Sequence, residues 1–158
     1  MHRAATNCGM TLVELMVTLV VVAILMAVAV PGAVDLFRRL RIEGVANELG
    51  TDLQYARSES IRRREDVTLV SSADGSSYRL KGLTSGIVLK TVDLPSGASL
   101  SQGVTIRFES LRGSAAATGS IDVTVSGTTA KLTLAVDEVG RVTTCIAEGS
   151  FMGRIKPC

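Results

Sequence analysis

Three regimes of hydrophobic and polar residues follow one another along the chain. The first is a stretch from Leu15 to Val34 that contains no charged residue. As a helix rising 1.5 Å per residue it would extend roughly 30 Å, the thickness of bilayer hydrocarbon. In the second regime, apolar or small residues at Ile42, Val45, Ala46, Leu49, Leu53, Ala56 and Ser60 recur at helical spacing. They predict one buried face of an amphipathic helix. Asp35 to Asp66 carries seven acidic and seven basic residues, which fill the other face. Helix is therefore expected from about Met10 to Arg64, interrupted or bent near Pro31-Gly32, where the amide proton is missing.

After Asp66 the period shortens to that of β-strands. Candidate strands are Val67–Val70, Tyr78–Lys81, Ile87–Leu94, Val104–Phe108, Ile121–Val125, Lys131–Val136 and Arg141–Thr144. Asp74-Gly75, Pro95-Ser96-Gly97 and Ser126-Gly127 supply turn signals between them. The small-residue stretch Ser110–Ser120 reads as a mobile loop, and no internal repeat is present. The expected fold class is α+β: a long N-terminal helix, transmembrane then amphipathic, packed on an antiparallel β-sheet head.

Composition changes this picture little. At 158 residues there is room for one modest domain and its anchor. Net charge is +2, so attraction to a polyanion would have to come from a local patch. Three Phe, two Tyr and no Trp give no stacking platform for nucleic acid. The single histidine is His2, so a Ser or Cys nucleophile lacks its usual base, and no zinc site is expected. The glycine-rich stretches lack the lysine of a phosphate-binding loop. Asp137-Glu138 reads as a turn or strand end, because adjacent strand residues point to opposite faces. The expectation is a protein with neither enzymatic activity nor a cofactor; the rival class is a single-pass membrane hydrolase or sensor domain.

The first nine residues, MHRAATNCG, are polar and weakly basic. A secretory signal peptide would have a shorter apolar core followed by a small-residue cleavage site. Here the small residue, Gly9, precedes the run. Glu14 is the anomaly, since a carboxylate at the start of a membrane helix costs a few kcal/mol unless it stays solvated at the interface or has a partner.

Gly9-Met10-Thr11-Leu12-Val13-Glu14-Leu15 resembles the class III signal of type IV prepilins and type II secretion pseudopilins, usually G-F-T-L-I-E. Met10 replaces the more usual Phe, and Pro31 matches a proline that often kinks this helix in the family. The resemblance implies a leader at 1–9, cleavage between Gly9 and Met10 by a membrane aspartyl peptidase, and N-methylation of Met10. It implies that Glu14, fifth after the cut, pairs with the N-terminal amine of a neighbouring subunit. The segments that follow are an assembly helix spanning the membrane at 10–34, an amphipathic helix at 35–66 and a β-rich head at 67–158. The implied location is the bacterial inner membrane, single-pass, with a periplasmic head. Charge alone points the other way, because Arg38, Arg39 and Arg41 follow the run while only Arg3 and the amino terminus precede it.

Leu53-Gln54-Tyr55-Ala56-Arg57-Ser58-Glu59-Ser60 resembles the helix-end signature L-x-x-A-R-S-E-A of the GspH/FimT branch, with Ser60 in place of Ala. The Arg62-Arg63-Arg64 run reads as a solvated face at a helix C-terminus, neutralised by Glu59, Glu65 and Asp66, rather than as a nucleic-acid patch. Loss of the leader removes Cys8 and leaves Cys145 and Cys158 in an exported domain, where disulfides persist. A Cys145–Cys158 bridge is expected, the alternative being two free thiols.

The implied roles are a minor pilin of a type IV pilus or a minor pseudopilin of type II secretion. The implied partners are other pilins or pseudopilins, the prepilin peptidase, an inner-membrane assembly platform and membrane lipid. Gly153-Arg154-Ile155-Lys156 is similar to the G-R-x-R element of DNA-uptake pilins, with Lys156 for the final Arg. Arg154 and Lys156 are therefore candidates for weak binding of double-stranded DNA, the alternative being that they only solubilise the C-terminus.

Overall fold

The computed structural model describes residues 11–116, 118–149, 151 and 155–158. The chain divides into two compact units, Met1–Leu36 and Phe37–Cys158. Helix α1, Leu12–Arg63, runs from the first into the second, and helix is assigned without interruption through Pro31 and Gly32.

In the first unit, helical residues 12–30 and 32–36 are all exposed, and the apolar window has a mean hydropathy of 2.8. By length and composition this segment could cross a membrane.

In the second unit the predicted strip of α1 is buried throughout: Ile42, Leu49, Leu53, Ala56 and Ser60 are fully enclosed, and Val45 and Ala46 nearly so. Eight strands follow: β1 Val67–Ser71, β2 Ser77–Gly82, β3 Val88–Asp93, β4 Ala98–Leu100, β5 Thr105–Phe108, β6 Gly119–Val125, β7 Lys131–Val136 and β8 Val142–Glu148. They form two four-stranded antiparallel sheets, in the orders β3-β2-β1-β5 and β4-β6-β7-β8. Alternating residues of both sheets point into one core with the helix strip, among them Leu69, Leu80, Phe108, Ile121 and Leu134.

The two sheets are joined near β4, a strand the sequence pattern does not reveal. Leu100 donates its amide to the Gly75 carbonyl at 2.9 Å, and the Ser71 hydroxyl donates to the Ser101 carbonyl at 2.9 Å. The expected loop at Ser110–Ser120 is largely ordered structure. Gly113 and Ala116 donate to the carbonyls of Glu109 and Arg107 at 2.9 Å each, and Ala115 is buried in a bridge to Phe108. Small side chains here permit close packing, which composition alone does not distinguish from a loop.

The end of α1 is fixed by its carbonyls. Glu65 N–H reaches Ser60 O at 3.2 Å and Arg64 N–H reaches Ile61 O at 3.3 Å, with Arg64 at φ 53°. This is the paired closure of a Schellman cap, with arginine where glycine is usual. Only Glu59 of the three carboxylates expected to neutralise the arginine run does so, because Glu65 and Asp66 bind elsewhere, to backbone amides and to Arg107. Glu59, nearly buried, accepts from Arg62 Nε at 2.7 Å and Arg63 Nε at 2.6 Å.

A buried polar contact locks the helix to the first sheet. Asp52 lies among the strip residues and accepts from Tyr78 Oη at 2.7 Å and from Lys90 Nζ at 2.8 and 2.7 Å. Burial, then the Asp52 hydrogen bond, pushes the Tyr78 phenol upward, while the Asp52 hydrogen bond raises Lys90.

Replacing Asp52 by Ala leaves the Tyr78 hydroxyl and Lys90 without their acceptor, and should cost about 2–3 kcal/mol in denaturant unfolding. Tyr78→Phe should cost only about 1 kcal/mol.

A second expectation concerns acid. The hydrogen bonds from Arg62 and Arg63 hold Glu59 at about 2 against an ordinary 4.5. Its contribution to stability is therefore complete above pH 4.5 and lost as pH falls from there through 2. A melting-temperature profile over that window should be shallower for Glu59→Gln than for the parent.

Candidate functional site

Two places carry the sequence motifs: the start of α1 and the C-terminal segment. At the first, Thr11 precedes the helix and its hydroxyl accepts the Glu14 amide at 3.2 Å, while its carbonyl accepts the Leu15 amide at 3.1 Å. Thr11 is thus the N-cap and Glu14 the third helical residue, the spacing of a capping box. A carboxylate in the first turn also complements the positive end of the helix dipole. Glu14 is exposed, so its carboxylate is presented at the head of an apolar, unburied helix. Gly9 and Met10, the residues on either side of the expected cut, lie outside the described residues.

The arginines that follow the apolar run are engaged with the head. Arg38 Nη1 donates to the Gly127 carbonyl at 2.9 Å and Arg41 Nη1 to the Ser96 carbonyl at 3.0 Å. They hold the β6–β7 and β3–β4 connections against α1. Their place in the chain thus has a packing cause that a count of topogenic charges does not see.

At the other motif, Cys145 and Cys158 are bridged, with Cα atoms 5.0 Å apart. The bridge lays the C-terminus beside β8. Ile146 N–H reaches Lys156 O at 2.9 Å, Cys158 N–H reaches Ile146 O at 3.1 Å, and Pro157 forms a parallel bridge with Ile146. An edge strand is thereby covered. Lys156 is exposed, whereas Arg154 lies outside the described residues.

Among the described residues no group of three or more His, Cys, Asp or Glu could hold a metal ion. The hollow between α1 and the β7–β8 turn, lined by Arg57, Ile61 and Arg141, assembles no acid–base or nucleophile pair. Asp137 accepts the Arg141 amide at 2.7 Å and so closes that turn, as its position predicted.

Residues 45–140 match the family described as type II transport protein GspH, and residues 5–30 match the prokaryotic N-terminal methylation motif. The chain belongs to the GspH family of pilin-like proteins. A search of curated proteins finds no match. Two crystal structures of the type IV minor pilin FimU of Pseudomonas aeruginosa (strain PAO1) share the fold. One superposes with a TM-score of 0.56 at 23 % identity, over 66 % of this chain and 88 % of that one. The other gives 0.53 at 24 %, over 65 % and 90 %. Long helix and antiparallel head are thus the type IV pilin fold, and family membership implies interaction with other pilins and with the peptidase that reads the methylation motif.

Sequence reasoning missed three structural roles in this GspH-family head. Asp52 was detectable, because a carboxylate three residues after Leu49 on the buried face needs a partner. Arg57, inside the helix-end signature, runs between two turns. A Cβ built on Gly113 would stand 3.0 Å from its Cγ, and one on Gly140 3.1 Å from its Nε. Glu65 accepts the amides of Thr84 (2.7 Å) and Ser85, which fixes the β2–β3 turn and lowers its carboxyl, chiefly through Ser85. No local pattern announces either of the last two.

The bridge is testable by chemistry alone. Thiol labelling of unreduced, denatured mature protein should find no free cysteine, and Cys145→Ser/Cys158→Ser should lower unfolding stability by about 2–4 kcal/mol.

Proposed function

We propose that this chain is a minor subunit of a type IV pilus, made as a prepilin and held in the bacterial inner membrane until assembly. On this reading residues 1–9 are the leader, 10–34 the membrane and filament helix, 35–66 its amphipathic continuation and 67–158 the exported head. The observation that carries it is the start of α1: Thr11 caps the helix, Glu14 stands in its first turn, and every described side chain from there to Val30 is unburied. Such a helix needs an apolar environment, first lipid and then the helices of neighbouring subunits. The Glu14 carboxylate supplies a counter-charge for a neighbour's amine where the dielectric is low. The work is structural, with no catalytic step assigned.

The disulfide-closed C-terminus resembles the loop common among type IV pilins, which supports the pilus. The match to a family described as type II transport protein favours a second reading, a minor pseudopilin of a secretion system. Deleting the gene separates them. Loss of surface pili with secretion intact supports the pilus, and failed secretion with pili intact overturns it.

Intact-mass measurement of membrane-extracted protein should show Met10 as an N-methylated first residue, and Gly9→Ala should retain residues 1–9. Glu14→Ala should be cleaved and inserted normally yet be depleted from sheared filaments, since the neighbouring amine loses its partner. Normal incorporation would sink the role given to Glu14.

A further inference from the structure

The hollow between α1 and the β7–β8 turn measures about 400 Å³, with Gln54, Arg57, Ser58 and Ile61 on the helix side and Arg141 and Val142 on the strand side. The helix residues are spaced i, i+3, i+4 and i+7, so one face of α1 forms the wall. Arg57 reaches it between two turns that grip its side chain. A Cβ on Gly113 would stand 3.0 Å from Arg57 Cγ and 3.2 Å from Nε, and one on Gly140 3.1 Å from Nε and 3.4 Å from Cδ. Both glycines have positive φ, 62° and 76°, a conformation that keeps larger residues out of this path.

The guanidinium so positioned has no acceptor inside the protein. Arg57 is half-buried and makes no hydrogen bond or ion pair among the described residues. Among them no buried side-chain nitrogen or oxygen lacks a hydrogen bond, so the unbonded Arg57 nitrogens are accessible, and the hollow is where they emerge. Arg141 is exposed and likewise has no carboxylate partner, while its amide is fixed to Asp137 Oδ1 at 2.7 Å. Two guanidinium groups thus share one opening, and the stem of one is already held in place.

Local charge selects among anions. Glu109, Asp137 and Glu138 lie on the neighbouring turns, so positive charge does not dominate the region. Glu109 accepts the Ser114 hydroxyl at 2.9 Å, Asp137 closes its own turn, Glu138 is exposed, and none of the three lines the hollow. A polyanion gains no long-range attraction here, and a dianion is repelled by these carboxylates. A single carboxylate fits the contact geometry, because a guanidinium fork binds it through two parallel hydrogen bonds and the Gln54 amide offers another donor. Ile61 and Val142 add an apolar lining that a bare inorganic ion could not use. We propose that this hollow binds a monoanionic carboxylate carried on an apolar body, with Arg57 and Arg141 as the groups that hold it. The carboxylate belongs either to a free organic acid or to an acidic side chain in an apolar peptide. The site is independent of the choice between pilus and secretion system.

The test uses the full-length chain in detergent micelles, isotopically labelled at arginine, with the Nε–Hε signals of Arg57 and Arg141 followed by NMR. The probes are isovalerate, its uncharged amide isovaleramide, inorganic phosphate, a DNA duplex and a capped tripeptide of valine, aspartate and valine. Isovalerate or the tripeptide should shift both signals saturably, with a dissociation constant on the order of millimolar, whereas isovaleramide should move neither. A tripeptide bound about tenfold or more tightly than isovalerate identifies a peptide as the source, and any smaller ratio identifies a free acid. Arg57→Lys keeps the charge but loses the fork, and it should weaken binding at least about fivefold, as should Arg141→Gln. Arg79→Gln, on the exposed side of β2, should leave binding within about twofold. Retention of the Cys145–Cys158 bridge shows that each variant is folded, and if Arg57→Lys fails to fold, Arg141→Gln decides alone. No saturable shift with either carboxylate probe, an equal response to isovaleramide, phosphate or DNA bound as tightly as the carboxylates, or parental affinity in Arg141→Gln would overturn the site.

Discussion

The head depends on a strip of α1 seven residues long in side chains and one side chain wide. Ile42, Val45, Ala46, Leu49, Leu53, Ala56 and Ser60 supply the helical face of a core whose other faces are two separate sheets. Each sheet is too small to stand alone, and together they close only because the helix reaches both. Gly50 comes near Leu134 of β7, while Asp52 meets Tyr78 of β2 and Lys90 of β3. Small residues at Ala46, Gly50, Ala56 and Ser60 keep the backbone close. At Ser60 that closeness brings the hydroxyl to within 3.3 Å of the Glu109 carbonyl. A larger residue at Ser60 would push apart the helix end and the segment that carries Leu111.

The polar contacts of the interface have a different purpose from the apolar ones. Apolar burial is non-directional and would tolerate a helix shifted by a turn. The Asp52–Tyr78–Lys90 cluster and the two carbonyls bound by Arg38 and Arg41 tolerate no such shift. They set the register of α1 on the head at two places along the helix. In a filament subunit that register matters beyond stability, since one helix must serve as core element over part of its length and as assembly element over the rest.

Much of this was legible in the sequence. Two residue spacings announced the helix strip and most strands, and the Gly9–Leu15 motif with its apolar run, together with Leu53–Ser60, announced the family. What was not legible has physical reasons. Period-2 alternation says that one face of a strand is buried but not which neighbour pairs with it, so two sheets read as one head. β4 spans only Ala98–Leu100, too short for alternation to register, and its place comes from Gly75 and Ser126 across the fold. Ser110–Ser120 looked like a loop because alanine, glycine and serine mark both mobile segments and tight packing. The role of Arg57 depends on two glycines at positions 113 and 140, far away in sequence, and no local pattern encodes that.

The same logic separates the two kinds of exposed apolar surface. Along residues 12–30 nothing is buried and no carboxylate other than Glu14 interrupts the surface, which is the pattern of a helix whose solvent is lipid or other helices. At the far end of α1 the exposed apolar groups are few, and exposed cations and carboxylates both stand among them. A chain with such a helix cannot satisfy its surface as a monomer in water, and that deficiency is the physical case for reading it as a part of something larger.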